Sequence, residues 1–74
     1  MKIKFDKKAD SVYISLTKKS RNTVKQSIPI ENDNESYMIL LDFDKNNKLI
    51  GIDIMAAKKT VDIDSLKKLM FEEV

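Results

Sequence analysis

The sequence predicts an α+β fold, an antiparallel β-meander of about five strands with a C-terminal helix packed on the sheet. Three observations predict it. Two alternating apolar runs, residues 37–43 and 49–55, flank Asn46-Asn47. With the two asparagines as a type I′ turn, whose positive φ Asn tolerates, Phe43 faces Ile50, Leu41 faces Ile52 and Ile39 faces Ile54. A slip of one residue would bring Asp42 and Asp53 among those side chains, so the register is well determined. Two shorter alternating runs, residues 2–5 and 12–16, precede this hairpin. An apolar stripe at three- and four-residue spacing, Ile63, Leu66, Leu69, Met70 and Val74, follows it.

The elements follow in order. The first strand sets Ile3 and Phe5 on one face and the second sets Val12, Ile14 and Leu16 likewise, so Ile3 belongs opposite Ile14 and Phe5 opposite Val12. Asp6, at the start of the connection, can accept backbone hydrogen bonds from the turn after it. Residues 17–23 form a polar loop. The third strand, residues 24–30, contains Pro29, which has no N–H for a ladder, so the strand is short, at an edge, or ends there. Residues 31–36 are a loop by composition. After the central hairpin, Asp62 or Asp64 can cap a helix over about residues 62–72, with Glu72 and Glu73 opposing its dipole and fraying its end. Residues 1–74 make one domain, with the sheet over about residues 2–57.

Composition excludes more than it selects. At 74 residues a single core barely outweighs chain entropy, which favours self-association. There is no cysteine and no histidine, which removes disulfides, thiolate nucleophiles, the imidazole base and the usual zinc and iron ligands. Any catalysis would rest on Asp, Glu, Lys, Tyr, Ser or Thr, and no cofactor is expected. One Gly and one Pro leave no Gly-rich phosphate loop and no flexible linker. No apolar run approaches the ~20 residues that span a bilayer, and no signal-type apolar segment follows the basic start, so a cytoplasmic protein without a membrane partner is expected.

Charge is unevenly placed. Residues 1–27 carry eight cations against two acids, a net of +6, and residues 28–74 carry six lysines against ten acids, a net of −4. A candidate basic patch comprises Lys2, Lys4, Tyr13, Lys18, Lys19, Arg21 and Lys25, with Ser15 and Ser27 on the same outer face. Lysines beside an aromatic ring suit a phosphate backbone and a stacked base. A solvated sheet face explains the same residues with fewer assumptions.

Two acidic constellations are weaker still. Asp42, Asp44, Asn46, Leu49 and Asp53 have the spacing of a 12-residue calcium loop. Asn47 stands where that loop needs glycine, Asp53 where it needs a bidentate Glu, and the flanks are strands, so the hairpin reading is preferred. Asp42 and Asp53 project from the outer face as diagonal neighbours, on an exposed surface with no pocket around them. On that same side Met38, Leu40, Leu49 and Met55 form a candidate interface, because a contiguous apolar patch marks a contact surface and one helix cannot cover both faces.

The segments Lys2-Ile-Lys-Phe-Asp6, Ala9-Asp-Ser-Val-Tyr-Ile-Ser-Leu16, Leu41-Asp-Phe-Asp44 and Leu49-Ile-Gly-Ile-Asp-Ile54 resemble the small prokaryotic proteins grouped as domain of unknown function 2283, over about residues 1–57. Members usually have Tyr at position 5, Gly near position 47 and Glu at position 53. The resemblance implies a compact antiparallel α+β domain, found in bacterial, archaeal and phage genomes, without an established activity. Some members lie beside small toxin-like genes, which implies an inhibitor or antitoxin-like role, and no catalytic residue is carried over. The expectation is therefore a non-enzymatic cytoplasmic protein-interaction module, a homodimer or a partner of another protein. The alternative is a weak nucleic-acid binder using the basic N-terminal half, told apart by steep salt dependence.

Overall fold

In the computed structural model, residues 2–18, 23–30, 38–69 and 71–73 are described. Five antiparallel strands, β1 (Lys2–Asp6), β2 (Ser11–Ser15), β3 (Gln26–Pro29), β4 (Ile39–Phe43) and β5 (Leu49–Ile54), form one open sheet. Two short helices, α1 (Ala57–Thr60) and α2 (Ile63–Leu66), and a sixth strand, β6 (Phe71–Glu73), complete the chain. The α+β class is as expected. The strand order, β3-β4-β5-β2-β1-β6, is not consecutive: the β1–β2 hairpin joins the β3–β4–β5 meander through β2 and β5. That pairing sets Val12 against Ile54 and Ile14 against Ile52, apolar on apolar, and leaves the proline-bearing strand at the edge. Ile30 N donates to Ile39 O at 3.0 Å, so by alternation Pro29 points its missing N–H away from β4.

The first hairpin has the expected register, with Ile3 opposite Ile14 and Phe5 opposite Val12. Asp6 Oδ1 accepts from the N–H groups of Lys8 and Ala9 at 3.0 and 3.2 Å, which closes the turn. Its last residue, Asp10, has φ 51°, a left-handed conformation that Asp tolerates better than most residues. Asp10 then does a second job. Its carbonyl accepts from Ala57 N at 2.8 Å and its Oδ1 from Lys58 N at 3.1 Å, so the hairpin turn caps α1 from outside.

The central hairpin differs from expectation at its tip. Ile39 opposes Ile54 and Leu41 opposes Ile52, as anticipated, but Phe43 opposes Leu49 instead of Ile50. The cause is Asp44. Its Oδ1 accepts from Asn46 N at 2.8 Å and Lys48 N at 3.0 Å, while Asn47 N donates to Asp44 O at 3.0 Å. The turn is therefore centred on Lys45 and Asn46, and only Asn47 takes positive φ, at 60°. A three-residue loop shifts the pairing by one residue, and an irregularity beside Asp42 and Phe43 restores the original register. Asn47→Gly should raise stability by about 0.5–1 kcal/mol, because glycine adopts this φ without a Cβ clash; a lower urea midpoint would contradict the turn described.

Of the expected helix over residues 62–72 only the first turn forms, as α2; a strand, β6, follows it, and a separate one-turn helix, α1, precedes it. Val61 is extended at φ −130° and ψ 159°, which ends α1. Asp62 then caps α2 as expected, accepting from Ser65 N at 3.1 Å and from Ser65 Oγ at 2.8 Å. The hydrogen bonds from Ser65 hold the Asp62 carboxyl below the usual carboxylate range. Beyond α2, Phe71–Glu73 pairs in parallel with Ile3, Lys4 and Phe5. Two glutamates at a helix C-terminus oppose the dipole, whereas as a strand this segment occupies the open edge of β1. Met70 and Val74 lie outside the described residues.

The core lies off-centre. Ile3, Phe5, Val12, Ile54 and Ala57 are buried, with Val61, Ile63 and Leu66 of the helical segment packed on them. The helices thus cover the inner face over β1, β2 and β5. Ile28 on β3 and Ile30 just after it remain 40% and 43% exposed, on the same face.

Candidate functional site

The outer face is built from two rungs. One runs Lys2, Ser15, Gly51, Asp42, Ser27 across β1, β2, β5, β4 and β3, and the next runs Lys4, Tyr13, Asp53, Leu40, Pro29. Gly51, the chain's only glycine, decides what happens between them. A Cβ there would overlap the ring and hydroxyl of Tyr13, so the phenol lies in the space a side chain would fill. Crossing β5 this way, Tyr13 OH donates to Asp42 Oδ2 at 2.9 Å. Ser27 Oγ donates to the other oxygen, Oδ1, at 2.6 Å.

Asp42 is accordingly 1% exposed on a face that alternation alone makes solvent-facing. The expected exposed pair is therefore corrected: Asp53 is half-buried beside Tyr13, and Asp42 sits beneath the phenol. A carboxylate desolvated on an outer face needs a donor for each oxygen, and the two hydroxyls supply them. The cluster fastens β2, β4 and the edge strand β3 to one another over β5. Each carboxylate oxygen is engaged by one of the protein's own hydroxyls, so the arrangement suits cross-strand cohesion better than proton transfer to a substrate. A lone glycine inside an alternating strand was the one sequence signal for it, since such a glycine marks a close approach by another group.

The structure divides the basic patch. Lys2, Lys4 and Lys18 stand exposed at the β1–β2 side, and Lys25 precedes β3 on the other side of the sheet, four strand intervals or roughly 19 Å away. Tyr13 lies between the two with its hydroxyl engaged by Asp42. Lys19 and Arg21 lie outside the described residues. The apolar set is divided too. Met38 and Leu40 are half-buried and Met55 is exposed on the outer side, Met55 N donating to Met38 O. Leu49, paired with Phe43 across the irregularity, leaves that set and is 39% exposed.

The residues of the calcium-like spacing are likewise engaged elsewhere, Asp44 with its own turn and Asp42 with Tyr13 and Ser27. Among the described residues no helix is long and apolar enough to cross a membrane. No curated protein and no solved structure matches the chain. The sequence pattern of one family, described as Protein of unknown function (DUF2283), matches residues 2–58, which run from the first residue of β1 into α1 and include β1 to β5 and the Tyr13, Gly51 and Asp42 cluster. The chain belongs to the DUF2283 family.

Proposed function

We propose that this protein is a non-enzymatic, cytoplasmic protein-interaction module that pairs with a second copy of itself through the uncovered part of its inner sheet face. The observation that carries the reading is the exposure of Ile28 and Ile30, at 40% and 43%, on the face where Leu41 is only half-buried. Each apolar Å² left in water forgoes roughly 25 cal/mol that an interface would recover. The helices are occupied with Ile3, Phe5, Val12 and Ile54, so the described part of the chain has little else to place on β3. The surface differs from the outer-face set first considered, because the helices turn out to cover the β1 side of the inner face only. An inhibitor or antitoxin-like protein is a form of the same reading, since it too needs a docking surface and no catalytic group.

Sedimentation velocity decides it. The protein should run as a dimer at tens of micromolar, and Ile28→Lys should convert it to a monomer that still melts cooperatively. A wild-type monomer, or a dimer indifferent to Ile28→Lys, would overturn the assignment.

A further inference from the structure

Strand direction brings six strand ends together at one end of the sheet: the first residues of β1, β3, β5 and β6 and the last of β2 and β4. The residues just beyond them are Lys18, Lys25, Lys45 and Lys48, all exposed, and Lys2 opens β1 at the same end. The acids of β4 and its turn are buried and engaged. Asp42 is bonded to Tyr13 and Ser27, and buried Asp44 accepts from its own turn. What a solvent-borne partner meets is therefore cationic, although the whole chain carries only +2. Leu16, just past β2, and Leu49, the first residue of β5, are 41% and 39% exposed and stand among these lysines.

We infer that this end of the sheet binds an acidic polypeptide segment carrying apolar anchor residues, with the lysines meeting its carboxylates and the two leucines its apolar side chains. Dimensions agree. From β3 to β2 is three strand intervals, about 14 Å, which an extended segment of four or five residues crosses. A nucleic acid fits less well. Base stacking needs an available ring, and Phe43 is half-buried while Tyr13 is folded over Gly51 and bonded to Asp42. A two-fold contact with a second copy through this end would set lysine on lysine. The surface is separate from Ile28 and Ile30, so the two readings fail independently.

The test is fluorescence anisotropy with a labelled synthetic peptide of three Glu-Leu-Glu-Glu repeats, against the same peptide with serine for leucine and a single-stranded oligonucleotide of equal length. The leucine peptide should bind. Lys25→Glu with Lys48→Glu should weaken it about tenfold or more, and Leu16→Ser with Leu49→Ser several-fold, while Lys8→Glu with Lys58→Glu, beside the β1–β2 turn at the opposite end, leaves it unchanged. Each variant is checked for a native melting transition. No binding of the leucine peptide at hundreds of micromolar protein overturns the inference. So does equal binding of the serine peptide, an equal loss in the remote variant, or tighter binding of the oligonucleotide.

Discussion

Gly51→Ala should destabilise the protein by at least about 2 kcal/mol, although alanine ordinarily suits a strand interior better than glycine. The added methyl occupies the place of the Tyr13 ring, which must swing away. Asp42 then loses one of its hydroxyl donors while its surroundings stay largely desolvated, at a further cost of about 1–3 kcal/mol. The control is the double variant. With Tyr13→Ala already present, Gly51→Ala should be neutral or stabilise by up to about 1 kcal/mol, because the space is vacant and glycine's entropy cost is relieved. Urea denaturation of the four proteins gives the coupling directly. Equal losses in both backgrounds would mean that the phenol does not depend on the missing Cβ.

The second large effect separates the two halves of the sheet. Val12→Asp places a carboxylate at a position 0% exposed, among Ile3, Phe5 and Ile54, where no donor compensates it. Several kcal/mol are lost, which is all the stability a domain of this size is expected to have, so no cooperative transition should remain. Leu41→Asp, on the same face but under the uncovered corner, should lower the melting temperature and leave a folded protein. Dispersed amide resonances in Leu41→Asp and collapsed ones in Val12→Asp are the expected pair. If both variants unfold, the helices cover more of the inner face than described.

The difference between those two positions was not legible in the sequence. Alternation placed Val12 and Leu41 on one face correctly, because a period of two leaves no freedom once a strand is assigned. It could not rank them, because depth depends on which strands the C-terminal segment covers. That segment was misread for a physical reason. The spacing of Ile63, Leu66 and Leu69 suits a helix and Asp62 caps its first turn, but α2 ends at Leu66 and Phe71–Glu73 takes ladder pairs with β1 instead of helical ones. The hairpin tip went wrong by a single residue, since both a two-residue and a three-residue loop are compatible with Asn-Asn, and the Asp44 carboxylate selects the longer one. At the candidate site, Asp42, Tyr13 and Ser27 were all assigned to the outer face. What pattern alone could not supply was their convergence, which depends on a ring filling the space above Gly51.

The two margins of the sheet bear on how far any assembly can grow. Edge-to-edge pairing of strands is a repeating contact that generates fibrils, because each added copy offers the next a fresh edge. Here one margin ends in β6, three residues long, and the other in a strand that carries Pro29 at one of its outward positions. A short strand gives an incoming chain few partners, and the proline withholds a donor from it. Contact between two uncovered inner faces has the opposite arithmetic, for it uses up the surface that made it. For the pair proposed above, exposed isoleucine along this edge would thereby favour a closed contact over an open polymer, with Pro29 withholding one donor from an added strand.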